Sequence, residues 1–232
     1  MEREKIVISL GGSTLFMPSG AVDSAFIKHF CHLIIDVARE KSVAIVVGGG
    51  KRAGAAADAE RKKGRGEFFA DREAIKVTKK NAETLRKCLG KFAGAKIANG
   101  FDEVAEQVKR GKIAVAGGML EGITTDTVAV LAAERIGAER VVNVSLVDGI
   151  YTDNPVINPH AQRFGLISHE KLVDLANRHD QRMARTNFVF DSIAAKLAAR
   201  SEIEIDFADK HDLDNLRACL DGRKFDGTIV KN

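Results

Sequence analysis

Four runs rich in β-branched residues recur along this chain, and each stops at glycine or a tight turn. They are IVISLGGS (6–13), SVAIVVGGG (42–50), KIAVAGG (112–118) and RVVNVSLVDG (140–149). The Val/Ile stretches are continuous rather than alternating, the pattern of strands buried on both faces. Helical patterns fill the intervals, over 24–40, 70–89, 102–110 and 125–136. In the last, Val128, Leu131, Ala132 and Ile136 fall at i, i+3, i+4 and i+8, which predicts one apolar face, and Gly137 supplies the stop. Strand alternating with helix predicts an α/β fold, with an open, mainly parallel sheet and right-handed crossovers. Ligands of such sheets sit at the carboxyl ends of the strands, where these glycines cluster.

The pattern changes after Tyr151. Residues 151–167 read as loop, with Pro155 and Pro159. Helices are expected at about 168–178 and 191–200, the second N-capped by Asp191, then a strand over 202–208, a helix over 210–220 and a closing strand over 227–230. A soft boundary near residue 140 divides the chain into lobes 1–140 and 141–232 on one continuous sheet. The 232 residues, 45% hydrophobic, suffice for one sizeable core or two closely joined lobes. No window approaches the roughly 18 apolar residues of a membrane span. The opening MEREKIVIS carries acids and enters a strand at once, unlike a signal peptide, so a cytoplasmic location is expected. Cys31, Cys88 and Cys219 form no CxxC pair or zinc spacing and read as reduced packing residues. A net charge of +4 permits anionic ligands without requiring nucleic acid.

The chemistry-bearing positions lie at the strand ends. Gly11–Gly12–Ser13, Gly48–Gly49–Gly50 and Gly117–Gly118 each follow a strand. Any one of them alone is an ordinary tight turn. Three on one sheet edge describe a cleft where backbone N–H groups can cradle phosphate. Neither GxxxxGK[ST] nor GxGxxG occurs, so the cleft is neither a Walker-A loop nor a dinucleotide fingerprint. In GITTDTVAVLAAE (122–134), Thr124, Thr125 and Asp126 sit where a helix begins. They suit either a phosphate at a helix N-terminus or plain capping by Thr125 or Asp126. Tyr151, the only tyrosine, either stacks on a base or packs under the 151–167 loop. Lys196, mid-helix in DSIAAKLAAR, reads from that stretch alone as a solvated lysine. RKKGR (61–65), with Lys79 and Lys80, lacks interleaved aromatics and reads as a solvated face rather than a nucleic-acid patch.

In this order the pieces ISLGGS, IVVGGGK, GITTDTVAVLAAE, VDGIYTDNP and FVFDSIAAKLAARSEI resemble the amino-acid kinase superfamily, and within it the archaeal-type branch that phosphorylates UMP. The resemblance covers nearly the whole chain. It implies a three-layer α/β/α sandwich with an open sheet of eight or so strands. UMP would bind the N-terminal lobe, and ATP with Mg²⁺ the C-terminal lobe, with no side-chain metal ligands assigned. By match to the motifs, Gly11, Gly12 and Ser13 would cradle the phosphoryl group in transit, and Gly49 and Gly50 would contact the acceptor phosphate. Asp71 would hold the acceptor ribose, with Asn81 further along the same helix. Thr124 and Thr125 would bind the UMP phosphate, and Asp126 would order the centre. Ser145, Asp148, Gly149, Tyr151 and Asp153 would line the ATP site. Lys196 would lie near the nucleotide phosphates, with Lys51 the second candidate to neutralise their charge.

Five positions depart from the family pattern. Ser9 stands where many members have lysine, Ala74 replaces a glycine, Ile123 a histidine and Leu146 an asparagine, and Asn154 stands where an acid is usual. The implied function is therefore phosphoryl transfer from ATP to UMP in a homo-oligomer, a hexamer built as a trimer of dimers. Two alternatives keep the fold: another small phosphate or carboxylate acceptor, or a nucleotide- or oxyanion-binding protein without turnover.

Overall fold

A computed structural model describes residues 3–153, 158–179 and 190–232. Asn154 and Pro155 lie outside the described residues, as do Phe188 and Val189 at the start of the last motif. The four β-branched runs become β1 (Lys5–Leu10), β2 (Ser42–Val47), β3 (Ala114–Ala116) and β4 (Arg140–Ser145). They are joined by β5 (Leu166–Ile167), β6 (Glu204–Asp209) and β7 (Thr228–Val230). Among the described residues the sheet has seven strands in the order β3-β2-β1-β4-β6-β7-β5, one short of the eight or so implied above. Only the β6–β7 pairing is antiparallel.

Helices cover both faces. They are α1 (Ser24–Val37), α2 (Gly50–Lys62), α3 (Glu67–Leu89), α4 (Phe101–Lys109), α5 (Thr125–Ile136), α6 (His169–His179), α7 (Ser192–Arg200) and α8 (Leu213–Leu220). The two-residue period of the strands sorts the core into two layers. Ile6, Ile8 and Leu10 of β1 pack with Phe30 and Ile34 of α1, Leu85 of α3 and Leu216 of α8. Val7, on the other face, packs with Val128 and Ala132 of α5 and with Ala195 of α7. The result is the expected three-layer α/β/α sandwich. No helix among the described residues is long and apolar enough to cross a membrane.

Several sequence expectations need correction. Helix α5 is not one-sided: Val128, Ala129, Val130, Ala132, Ala133 and Ile136 are all buried, and Leu131 is only partly so. The helix lies between the sheet and α4 and α7, so its small residues are covered from several directions. Helix α2 was not anticipated, because it buries only Ala53, Gly54, Ala57 and Glu60 and carries no stripe of large apolar residues. Strand β5 falls inside the stretch read as loop and is two residues long. Three of the four RKKGR cations are paired locally: Arg61 with Asp58 and Glu67, and Lys63 and Arg65 with the buried Glu60. That is a paired, solvated face. Cys31 and Cys219 are buried, Cys88 is exposed, and all three are free thiols.

Candidate active site

Chain order reverses at β1. Strands β2 and β3 lie to one side of it, and β4 opens the other. A crevice forms at such a switch point, outside the carboxyl ends of the strands. Gly11 follows β1, with its N–H donating to Val144 O of β4 at 2.9 Å. Residues Gly12–Leu15 then make one 3-10 turn. Beside it, Gly48 N–H donates to Leu10 O at 2.8 Å, and Gly50 opens α2 with φ +60°.

The two glycine turns touch backbone to backbone. A Cβ on Gly12 would lie 2.5 Å from the Gly48 carbonyl carbon, and one on Gly50 would lie 2.6 Å from Ser13 N. Neither position admits a side chain, and Gly50 also needs the left-handed region that glycine adopts freely. Lys51 follows on the exposed first turn of α2. The third glycine site sits slightly apart, on α3: Gly118 N–H donates to Thr78 Oγ1 at 2.7 Å. Thr78 also packs against Gly49, where a Cβ would meet its methyl at 3.3 Å. Asn81 is buried and donates from Nδ2 to Gly48 O at 2.9 Å. Its side chain thus braces the second glycine turn. Asp71, on the same helix, accepts from Gly122 N–H at 2.9 Å and ties α3 to the loop before α5.

Helix α5 delivers its N-terminus to this centre. Its cap is Thr124, not Thr125 or Asp126. Thr124 is extended (φ −85°, ψ 171°), and its Oγ1 accepts from the N–H groups of Asp126 and Thr127. Thr125 is the first helical residue, and its Oγ1 lies 3.4 Å from where a Gly48 Cβ would be. Asp126 sits over the β1–β4 junction. Its Oδ1 accepts from Ser9 Oγ at 2.7 Å and from Asn143 Nδ2 at 3.1 Å. Asp191 caps α7 by accepting from Ile193 and Ala194 N–H at 2.9 Å, and also accepts from the hydroxyls of Thr124 and Thr127. Burial, and then the neighbouring Asp191 carboxylate, push the Asp126 pKa up to about 7, against the pull of Ser9 and Asn143.

The remaining positions lie on the C-terminal side. Ser145 ends β4 next to Gly11 and folds its hydroxyl onto the backbone of Val147. Asp148 accepts from Tyr151 Oη at 2.7 Å and is paired with Arg163, which also pairs with Asp226. The Asp148 hydrogen bond holds the Tyr151 hydroxyl above its usual range. Tyr151 is bridged to Arg163, which ties its backbone to the following loop. Gly149 lets that loop approach, since a Cβ there would lie 2.9 Å from Arg163 Cδ. Asp153 is exposed and accepts from Asn158 Nδ2 at 2.9 Å. Lys196 is exposed on α7 and makes no hydrogen bond or ion pair among the described residues.

Sequence reasoning missed four members of this constellation. Ser9 was noted only for what it is not, Asn143 and Thr78 were not singled out, and Asp191 was read only as a cap. A buried lysine was missed as well. Lys210 donates to Thr14 O at 2.9 Å and Asp23 Oδ2 at 3.0 Å, bracing the first glycine turn from beneath. Among the described residues no three His, Cys, Asp or Glu side chains cluster to hold a metal ion.

Two backbone glycine turns in contact beside a helix N-terminus are an arrangement suited to phosphate groups in an α/β protein. The chain belongs to the amino acid kinase family, whose sequence profile matches residues 4–209. It is 35% identical over 229 residues to a uridylate kinase of Methanocorpusculum labreanum, covering 98% of this chain and 96% of that one. A uridylate kinase of Thermococcus kodakarensis is 34% identical over 227 residues, covering 98% and 99%. The crystal structure of uridylate kinase from Archaeoglobus fulgidus superposes with a TM-score of 0.84 at 33% identity, over 97% of this chain and 99% of that one.

Proposed function

We propose that the protein is a nucleoside monophosphate kinase that transfers the γ-phosphoryl group of ATP to UMP, giving ADP and UDP. The observation that carries this reading is the backbone contact between the Gly12 and Gly48–Gly50 turns at the switch point of the sheet, below the N-terminus of α5. The full-length similarity to uridylate kinases supports the choice of acceptor.

Phosphoryl transfer needs donor and acceptor in line and the spread of negative charge stabilised. Gly11, Gly12 and Ser13 would offer N–H groups to the phosphoryl group in flight. Gly49, Gly50 and the Thr125 hydroxyl would face the acceptor phosphate, and Asp71 the acceptor ribose. Asn81 and Thr78 would act one step removed, by fixing the glycine turns. Ser145, Asp148, Gly149, Tyr151 and Asp153 would border the donor nucleotide in the lobe 141–232, with the acceptor in the lobe 1–140. Lys196 and Lys51 would supply mobile positive charge from the rim. The acceptor oxygen of UMP is already ionised at neutral pH, so no general base is required. Mg²⁺ would arrive with the ATP phosphates. When bound there it would neutralise phosphate charge. The reading further assigns a cytoplasmic enzyme and a homo-oligomer, a hexamer as a trimer of dimers.

ADP release from Mg-ATP, followed with UMP, CMP, dUMP, AMP, isopentenyl phosphate, aspartate and N-acetylglutamate, tests the assignment. UMP-dependent release well above the other acceptors is expected. Release only with another acceptor would move the assignment to that acceptor, and none with any would leave a binding protein.

A further inference from the structure

Lys210 follows β6 directly and is 7% exposed. Its backbone N–H donates to Ser145 O at 3.0 Å, at the end of β4. Its side chain reaches Thr14, 196 positions earlier in the chain, where Nζ donates to the main-chain carbonyl at 2.9 Å. Nζ also donates to Asp23 Oδ2 at 3.0 Å and lies 4.7 Å from the centre of the Phe26 ring. One residue thus joins the end of β4 to the first glycine turn. That turn, Gly12–Leu15, is a single turn of 3-10 helix, whose own hydrogen bonds are poorly aligned. Around it Gly11 O accepts from Thr14 N–H and Thr14 Oγ1, Ser13 O from Phe16 N–H, and Leu15 O from Asp23 N–H. Thr14 O takes the ammonium instead. Drawing an ammonium out of water is costly, and an apolar side chain of similar length would fill the space without that cost. The turn also abuts Gly48 and Gly50 backbone to backbone, so a shift of Thr14 is passed to the contact between the two glycine turns.

We propose that Lys210 is a positioning residue for phosphoryl transfer: it fixes the Gly12–Leu15 turn against the end of β4, so that the N–H groups of Gly12 and Ser13 keep their aim on the phosphoryl group. This rests on the kinase reading above and adds to it a residue that acts only through the turn. Simple stabilisation of the fold is the competing account, and the ion pair with Asp23 separates the two. Asp23 is the N-cap of α1 and accepts from Phe26 N–H at 3.0 Å. Asparagine caps a helix about as well as aspartate. Asp23→Asn therefore removes the charge opposite Lys210 and leaves the bond to Thr14 O standing. Lys210→Met removes that bond and leaves Asp23 without its cation. The two changes together leave no charge unpaired.

The two single variants and the double variant, each measured for kcat and KM with ATP and UMP and for unfolding in urea, test this. Both single variants are expected to lose stability, because each leaves one charge of the pair alone. Asp23→Asn is expected to keep kcat within about threefold. Lys210→Met is expected to lower kcat by about tenfold or more, with KM for UMP within about twofold. The double variant is expected to regain much of the stability and none of the lost kcat. A second measurement needs no turnover: the amide resonances of Gly12 and Ser13 are followed by NMR as Mg-ATP is added without UMP. They are expected to move in the native chain and in Asp23→Asn, and to move several-fold less in the double variant. A native kcat in Lys210→Met, or a kcat that returns with stability in the double variant, overturns the proposal. So do Gly12 and Ser13 shifts that are absent from the native chain or of native size in the double variant. If the native chain forms no UDP, yet Mg-ATP moves these amides only where Lys210 is present, the kinase reading fails and the positioning of the turn stands.

Discussion

Two aspartates mark the two ends of the sheet, Asp126 partly exposed and Asp206 buried, and their partners differ. Asp126 lies at the carboxyl edge among neutral donors and a second carboxylate. Asp206 of β6 lies toward the amino edge against Arg140, the first residue of β4, at 3.0 Å. Burial, and then the Asp191 carboxylate, raise Asp126 to about 7, whereas burial set against the pull of Arg140 leaves Asp206 raised to about 6. Arg140 also donates to the carbonyls of Cys219 and Leu220 at the end of α8, and to Glu4. Its guanidinium thus closes several elements into one rigid corner. A cavity of about 750 Å³ opens beside that corner, and two of the acids that line it are engaged, Glu4 with Lys41 and Arg140, and Glu204 with Lys231. A buried carboxylate with its own arginine is a structural joint. A carboxylate given only neutral donors is held without a counter-charge, and it lies at the end of the sheet where the glycine turns meet.

If this contrast is right, substitutions at the two ends separate stability from activity. The largest effect is expected at the amino edge. Arg140→Met strands Asp206 and two carbonyls, and should lower unfolding stability by about 3–5 kcal/mol in urea titrations. The double change Arg140→Met with Asp206→Leu should recover much of that loss, since no unpaired charge remains. Gly12→Ala comes next, at the carboxyl edge. Its methyl group would press on the Gly48 carbonyl and spread the two turns, so kcat/KM should fall roughly 100-fold or more. Its unfolding midpoint should drop less than that of Arg140→Met. Lys196→Ala should lower kcat by more than about tenfold, or about 1.4 kcal/mol of barrier, with unfolding unchanged because the side chain is exposed. An unchanged kcat would pass the charge-neutralising role to Lys51.

The smallest expected effect concerns stability and pH. The Asp126 pKa stands above its unfolded value, so the protonated form favours the fold. That contribution is complete below about pH 3.8 and is lost as pH rises through about 7. Asp126→Asn fixes the group neutral. It should therefore resist urea better than the native protein at pH 8, with the advantage vanishing toward pH 4. An advantage that grows toward low pH would reverse the assigned sign.

The sheet was legible because its strands are buried on both faces and announce themselves as unbroken Val/Ile runs. Helix α5 was found over 125–136, with Gly137 as its stop at φ +70°. Helix α2 escaped because it packs through alanine and glycine, which leave no periodic trace. The glycine turns could be placed on one edge from sequence, but their mutual contact could not. It depends on β1 and β2 being neighbours in a register that aligns Leu10 with Val47. The same holds for Ser9 and Asn143, which are 134 positions apart and become neighbours only once β4 is set against β1. Asp191 was readable as a cap from its place before a helix. Its second task, receiving the hydroxyls of Thr124 and Thr127, belongs to the packing of α7 on α5.

The central claim is that the glycine contact at the carboxyl edge carries a phosphoryl group from ATP to UMP. Phosphorus NMR of a mixture of Mg-ATP, UMP and protein follows that transfer directly. The account predicts UDP and ADP appearing in equal amounts with the native chain, and a loss of roughly 100-fold in that rate with folded Gly12→Ala. No UDP from the native chain, or UDP formed equally fast by folded Gly12→Ala, would contradict it.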